Sequence, residues 1–218
     1  KYLDQLQTEK IQYVGKMAVN NSCFYREYVL GEDSPEIRAT SMVISQALQQ
    51  PFFTEMRTNQ QLGYIVWSYA RNRDETHYLS FVIQSGAFTA DDVNQRAADF
   101  IASTPEFLAS MDGETFNQLK KSAIEQLEKK PMSIRERANK LKTFIFEHNA
   151  DFQRDDKTIA ALKKLDQTSA VDLLANTVSK DTRRMVNCLM FAEHHDNPTG
   201  VKSSFDDVNT WKASRSYK

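Results

Sequence analysis

Arg57-Thr58-Asn59-Gln60-Gln61-Leu62-Gly63-Tyr64 places an arginine and a phenol seven positions apart, and its flanks set it at a helix-to-strand corner. Before it, Ile37, Ser41, Ile44 and Leu48 recur at helical spacing, from a cap at Ser34 and Pro35 to an end near Pro51. A second, shorter helix through Phe53 and Met56 leads into the corner. After it, Ile65-Val66-Trp67-Ser68-Tyr69 is strand-like. Tyr64 is therefore expected at a strand's first residue, with its hydroxyl free to reach outward.

Working outward, Ile11 to Met17 and Ser22 to Leu30 read as strands around the turn Asn20-Asn21. Tyr64 to Tyr69 and His77 to Ser85 are expected to form an antiparallel hairpin through the polar connection Arg71-Asn72-Arg73-Asp74-Glu75. From Asp91 the period lengthens to that of helices. Val93, Ala97, Phe100 and Ile101 mark one helix, in which Pro105 predicts a kink or restart. Phe116, Leu119, Ala123 and Leu127 mark the next, after a cap at Asp112-Gly113. Ser133-Ile134-Arg135-Glu136 is a capping box for a third, continued by Ala138, Leu141 and Ile145. Thr168 begins a fourth around Val171, Leu174 and Val178, and Met185 to Met190 returns to strand character. Strands, then helices, then a final strand predict an α+β fold, a mainly antiparallel sheet covered on one face by helices.

The 218 residues, 40% hydrophobic and 26% charged, suit a single domain over 1–218, with 198–218 as a polar tail. A net charge of −1 with interspersed signs offers no basic stripe for nucleic acid. Cys23 and Cys188 lie in strand-like apolar runs and read as small buried hydrophobes. No apolar window is long enough to cross a bilayer. Lys1-Tyr2-Leu3-Asp4-Gln5 is not a signal peptide, and a start without methionine suggests a piece of a longer protein, although processing gives the same end.

The stretch R-T-x-x-Q-L-G-Y-x-V resembles the signature of the C-terminal, fourth domain in the insulinase/pitrilysin family of zinc metallopeptidases. The resemblance extends to Val19-Asn20-Asn21-Ser22-Cys23, Gln50-Pro51-Phe52-Phe53, Phe81-Val82-Ile83-Gln84-Ser85 and Phe205-Asp206-Asp207-Val208-Asn209-Thr210-Trp211-Lys212, and so covers nearly the whole chain. It implies the metallohydrolase fold of the mitochondrial-processing-peptidase type. It also implies a clamshell enzyme in which an N-terminal half holds zinc, while this domain lends an arginine and a tyrosine to peptide substrates. By motif position these are Arg57 and Tyr64, binding substrate and stabilising the oxyanion, with Gln61 and Gly63 as supports that shape the corner. The implied partners are the zinc-bearing half and peptides, with no nucleic acid and no membrane. The compartment stays open, since bacterial relatives are periplasmic and others cytosolic.

The family's zinc motif, His-x-x-Glu-His, is absent here, so no metal site is assigned to this chain. Four possible ligands in Glu193-His194-His195-Asp196 look attractive, but adjacent histidines on an extended segment point to opposite sides. His148 reads as a helix-end cap and His77 as half of a surface pair beside Asp74 and Glu75. No Ser/His/Asp set or glycine-rich phosphate loop occurs. Arginine offers a planar, permanently charged fork and tyrosine a hydroxyl on a rigid arm, a set suited to a developing oxyanion. Residue types alone favour a plainer reading, in which Arg57 pairs with Glu55 or a nearby acid and Tyr64 is a half-buried strand aromatic. The resemblance favours the functional one. Domains of this fold also serve as inactive, peptide-binding or structural subunits, and the presence of both Arg57 and Tyr64 favours the peptidase half.

Overall fold

The computed structural model describes residues 10–73, 75–179 and 184–215; Lys1 to Gln5 and Asp74, named above, lie outside them. Five strands, β1 (Lys10–Lys16), β2 (Ser22–Glu32), β3 (Ile65–Arg73), β4 (Thr76–Ser85) and β5 (Met185–Phe191), form one sheet in the order β1-β5-β2-β4-β3. Three of the pairings are antiparallel and the edge pair β1 with β5 is parallel. The strands flanking Asn20-Asn21 are thus not partners, because β5 inserts between them. It sets Leu189 opposite the fully buried Phe24. The expected β3/β4 hairpin is present, but its connection is shorter than the sequence suggests, since Arg73 already pairs with Thr76.

Alternation along β2 divides the sheet. Phe24, Arg26 and Tyr28 turn inward and are buried, with Ile83, Phe81 and Leu79 opposite them on β4. Helices cover this face: α1 (Pro35–Phe53), α2 (Ala90–Ser110) and α6 (Gln167–Val178) lie on the sheet, while α3 (Gly113–Glu128) and α5 (Arg154–Lys164) pack on α1. The other face is open and carries Tyr13 and Trp67, 40% and 59% exposed. At its centre Glu27 accepts hydrogen bonds from Tyr25 Oη (2.6 Å), Arg71 Nε (2.7 Å) and Ser80 Oγ (3.1 Å). Burial, then the bond to Glu27, pushes the Tyr25 phenol well above its usual range.

Caps fall where the sequence places them. Ser34, Asp112 and Ser133 accept from the amides of Ile37, Thr115 and Glu136. Pro105 does not restart α2, which runs unbroken from Ala90 to Ser110. The Ile101 carbonyl that proline leaves without a donor is taken by Thr104 Oγ1 at 2.7 Å. The helix α1 ends at Phe53, near Pro51 as expected, and Phe52 is fully buried, packing edge-on against Phe81 and Phe100 at 5.1 and 5.4 Å. The chain runs straight on into a π-helical turn, Thr54–Asn59.

Two segments depart from the sequence reading, and the polar tail carries structure of its own. The helix α5 is not among the expected elements. The helix α4 (Ile134–Glu147) does not cover the sheet: of its apolar residues only Phe144 is buried, while Ile134 is 90% and Phe146 77% exposed. The polar tail is partly ordered, with α7 (Val208–Ala213) in it. Ser204 N donates to Gln12 O at 2.7 Å along the β1 edge, and Phe205 stacks between Tyr13 and Trp211. Among the described residues no helix is long and apolar enough to cross a membrane.

His77 is buried, not a surface residue beside Glu75. Its Nε2 meets Asp33 Oδ1 at 2.7 Å, and the same carboxylate receives both Nη atoms of Arg154 (2.6 and 2.8 Å) and Arg38 Nη1 (3.3 Å). Asp33 therefore joins the end of β2 to α1, α5 and β4. Burial opposes its ionisation, yet hydrogen bonds from Arg154 and His77 and the charges of Arg154 and Arg38 hold the carboxyl at about 2. Burial pushes His77 below its ordinary range, with Asp33 opposing.

Candidate functional site

The corner is built from its buried residues. Met56 and Leu62 are 0% and 1% exposed, and Leu62 N donates to Met56 O at 2.9 Å, so the turn is pinned to the core at both ends. Between them Gln60 N reaches back five residues to Glu55 O at 2.9 Å, the π-type bond. Gln61 then takes a left-handed conformation, φ 54°, which reverses the chain.

Gly63 and Gln61 act differently from the sequence expectation. The unusual backbone belongs to Gln61. Gly63 instead permits close approach, because a Cβ there would lie 1.8 Å from Gln84 O of β4. The amide that ties the bend is that of Gln60, whose Nε2 donates to Glu55 Oε1 at 2.9 Å. Gly63→Ala is expected to destabilise the chain by roughly 3 kcal/mol, at the upper end of overpacking costs because the obstacle is backbone. Gly113→Ala, with nothing within 4 Å of its Cβ, is the control and should change little. Urea midpoints of the two variants check this; equal midpoints refute it.

Arg57 does not pair with Glu55. Glu55 accepts instead from Asn59 Nδ2 (2.7 Å) and Gln60 Nε2 (2.9 Å), and these bonds, Gln60 first, hold its carboxyl below the usual range. The Arg57 guanidinium lies over the Tyr64 ring at 4.3 Å and the Phe53 ring at 5.4 Å, and its Nη1 donates to Tyr64 O. No carboxylate pairs with Arg57 among the described residues. Tyr64 is 82% exposed, not half-buried. The structure thus brings Arg57 and Tyr64 together at the start of the edge strand β3, with donor groups left over on both. Sequence reasoning missed Gln60 and Phe53, although a residue four before the arginine on a helix is its neighbour by spacing.

The remaining sequence candidates do not converge. His194 and His195 lie in a turn after β5, where His195 N donates to Ala192 O at 3.1 Å, so their rings are 4.2 Å apart and do not point to opposite sides. Their Nδ1 atoms face Asn20 Oδ1 (3.1 Å) and Ser22 Oγ (2.8 Å). His148 is the C-cap residue of α4. Among the described residues no three His, Cys, Asp or Glu side chains are grouped to hold a metal ion. A depression of about 230 Å³ lined by Ser41, Ser45, Asn72, His77 and Gln126 does not include Arg57 or Tyr64.

Residues 43–142 match the family described as PQQ synthase PqqF-like, C-terminal lobe domain 4. The chain is 28% identical to Protease 3 of Salmonella typhi over 149 residues, 68% of this chain and 16% of that protein. It is 25% identical to the insulin-degrading enzyme of Drosophila melanogaster over 179 residues, 81% of this chain and 18% of that protein. The crystal structure of pitrilysin matches with a TM-score of 0.81 at 20% identity, over 96% of this chain and 23% of that one. The inactive peptidase domain of a putative zinc protease from Bordetella parapertussis matches at 0.61 and 10% identity, over 79% of this chain and 94% of its own. The chain therefore spans less than a fifth of the curated relatives.

Proposed function

We propose, from the premise that this chain is homologous to Protease 3 and insulin-degrading enzyme and has the M16 peptidase fold, that it is the non-catalytic C-terminal domain of a zinc-dependent endopeptidase. Among the described residues no three His, Cys, Asp or Glu side chains group to hold a metal ion, and the reading assigns the zinc and its chemistry to the N-terminal half. What this domain adds is Arg57 and Tyr64. One observation carries the reading: an arginine without a carboxylate and a tyrosine 82% exposed share one corner on the rim of an open sheet face.

In the proposed enzyme the corner faces the zinc-bearing half across a chamber closed around peptides. The Arg57 fork and the Tyr64 hydroxyl donate to the peptide carbonyl, orient it, and hold the negative charge that develops on its oxygen. Water excluded by closure strengthens both bonds. Such a site has half its walls elsewhere, on the zinc-bearing half. The alternative, an inactive subunit, is favoured by the likeness to an inactive peptidase domain and leaves the pair without a role.

The test uses the full-length polypeptide. Arg57→Ala is expected to lower kcat/KM for peptide hydrolysis about a hundredfold or more with zinc content unchanged. A variant as active as the parent would overturn the assignment, and a parent without peptidase activity would support the inactive-subunit reading.

A further inference from the structure

The turn that carries Arg57 closes one residue late and is fastened twice. Its backbone bond runs from Gln60 N to Glu55 O at 2.9 Å, and the side chains of the same two residues repeat the link, Gln60 Nε2 to Glu55 Oε1 at 2.9 Å. Asn59 Nδ2 occupies the second carboxylate oxygen at 2.7 Å. From outside the turn, Arg96 of α2 extends Nη1 to Gln60 Oε1 at 3.4 Å, while its own Nε is held by Asp92 at 2.9 Å and its guanidinium lies 5.0 Å from the Phe88 ring. The hydrogen bonds of Glu55 run to Asn59 and Gln60, not to Arg57. Residues two apart on a helix do not face one another, so Glu55 holds the turn without capturing the arginine.

We propose that Glu55 and Gln60 are positioning residues for Arg57 and Tyr64, fixing the π register that lays the guanidinium over the phenol. A residue inserted into a helix rotates the side chains beyond it by roughly 100°. Relaxation of this turn to an ordinary α register would swing Arg57 off Tyr64 while Met56 and Leu62 stayed buried. The core thus anchors the turn but does not choose its register. The link between Glu55 and Gln60 does. Wide turns of this kind recur at functional sites because they aim a side chain that a regular helix would point elsewhere.

The inference rests on the role proposed for Arg57 and Tyr64, and a mutant cycle in the full-length enzyme separates the two. Glu55→Ala and Gln60→Ala are each expected to lower kcat about tenfold with KM and Tm nearly unchanged. Glu55→Gln, which keeps an acceptor for Gln60, should stay within about threefold of the parent. In a Tyr64→Phe background Glu55→Ala should cost less than about twofold more, because a residue that acts through another loses its effect when that one is gone. Full activity of Glu55→Ala beside an impaired Tyr64→Phe, or a loss that simply adds to that of Tyr64→Phe, overturns the positioning role alone. Unimpaired Tyr64→Phe overturns the role of the pair and this inference with it.

Discussion

In the full-length polypeptide, Tyr64→Phe is expected to lower kcat and kcat/KM together by about a hundredfold or more and to leave the metal content unchanged, if the role proposed for the pair holds. The substitution removes one oxygen from a side chain that is 82% exposed, so it costs the fold little. The phenyl ring remains to stack under Arg57, whose guanidinium is 4.3 Å from the Tyr64 ring. The group that disappears is a hydrogen-bond donor aimed at solvent, and a donor that acts on a developing oxyanion affects the transition state more than bound substrate. Arg57→Lys is expected to fail as well, because an ammonium keeps the charge but lacks the planar fork. Steady-state kinetics with zinc analysis decide it. Parental kcat with only a raised KM would mean that the pair merely holds peptide.

The largest expected effect on stability comes from Asp33→Ala. Arg154 and Arg38 have side chains only 11% and 8% exposed, and both direct guanidinium groups at that carboxylate. Removing it leaves two largely buried charges without a counter-ion, a change worth roughly 3–5 kcal/mol. The urea midpoint of the variant chain reads this out, and a shift equivalent to under about 1 kcal/mol refutes it. The same carboxylate gives a pH dependence whose sign can be worked out. Its folded pKa of about 2 lies below the ordinary value of 3.8, so its contribution is complete above pH 4 and lost as pH falls toward 2. The loss amounts to about 2 kcal/mol. His77, held neutral by burial, weakens the fold in the same direction as it is forced to take a proton. Acid unfolding of the parent should accordingly be steeper than that of Asp33→Ala.

Much of the architecture is legible in the sequence because it is local. Ser34, Asp112 and Ser133 announce helix starts within four residues, and the β3/β4 hairpin needs one turn. The place of β5 is not legible, because Leu189 and Phe24 meet across a long separation that no spacing encodes. The helix α5 is hidden because its buried stripe is Thr158, Ala161 and Leu162, two of them small, among Asp155, Asp156, Lys157, Lys163 and Lys164. His77 looks superficial beside Glu75, but the acid it meets is Asp33, brought in by the strand pairing of β2 with β4. At the corner, the residues that carry donors can be read, and their supports cannot. Whether Gln60 or Gln61 bonds across the bend, and whether Gly63 supplies an angle or a space, depends on a π-type bond and on the distance to Gln84, neither visible in residue type.

The exposed stripe of α4 sets a hierarchy within the molecule. Its attachments are the Lys140–Asp155 ion pair at 2.6 Å and the edge-on contact of Phe144 with Phe152 at 6.4 Å. Phe144 is the one buried apolar residue of this helix, with Leu141 and Ile145 still 40% and 47% exposed, so detaching it should cost a small fraction of global unfolding. The sheet and α1 open only when the whole structure does. Amide exchange in 134–147 should therefore run ahead of the rest of the chain, and a protease should cut there first. The corner that carries Arg57 and Tyr64 belongs to the slow part: a molecule nicked in α4 keeps its donors in place.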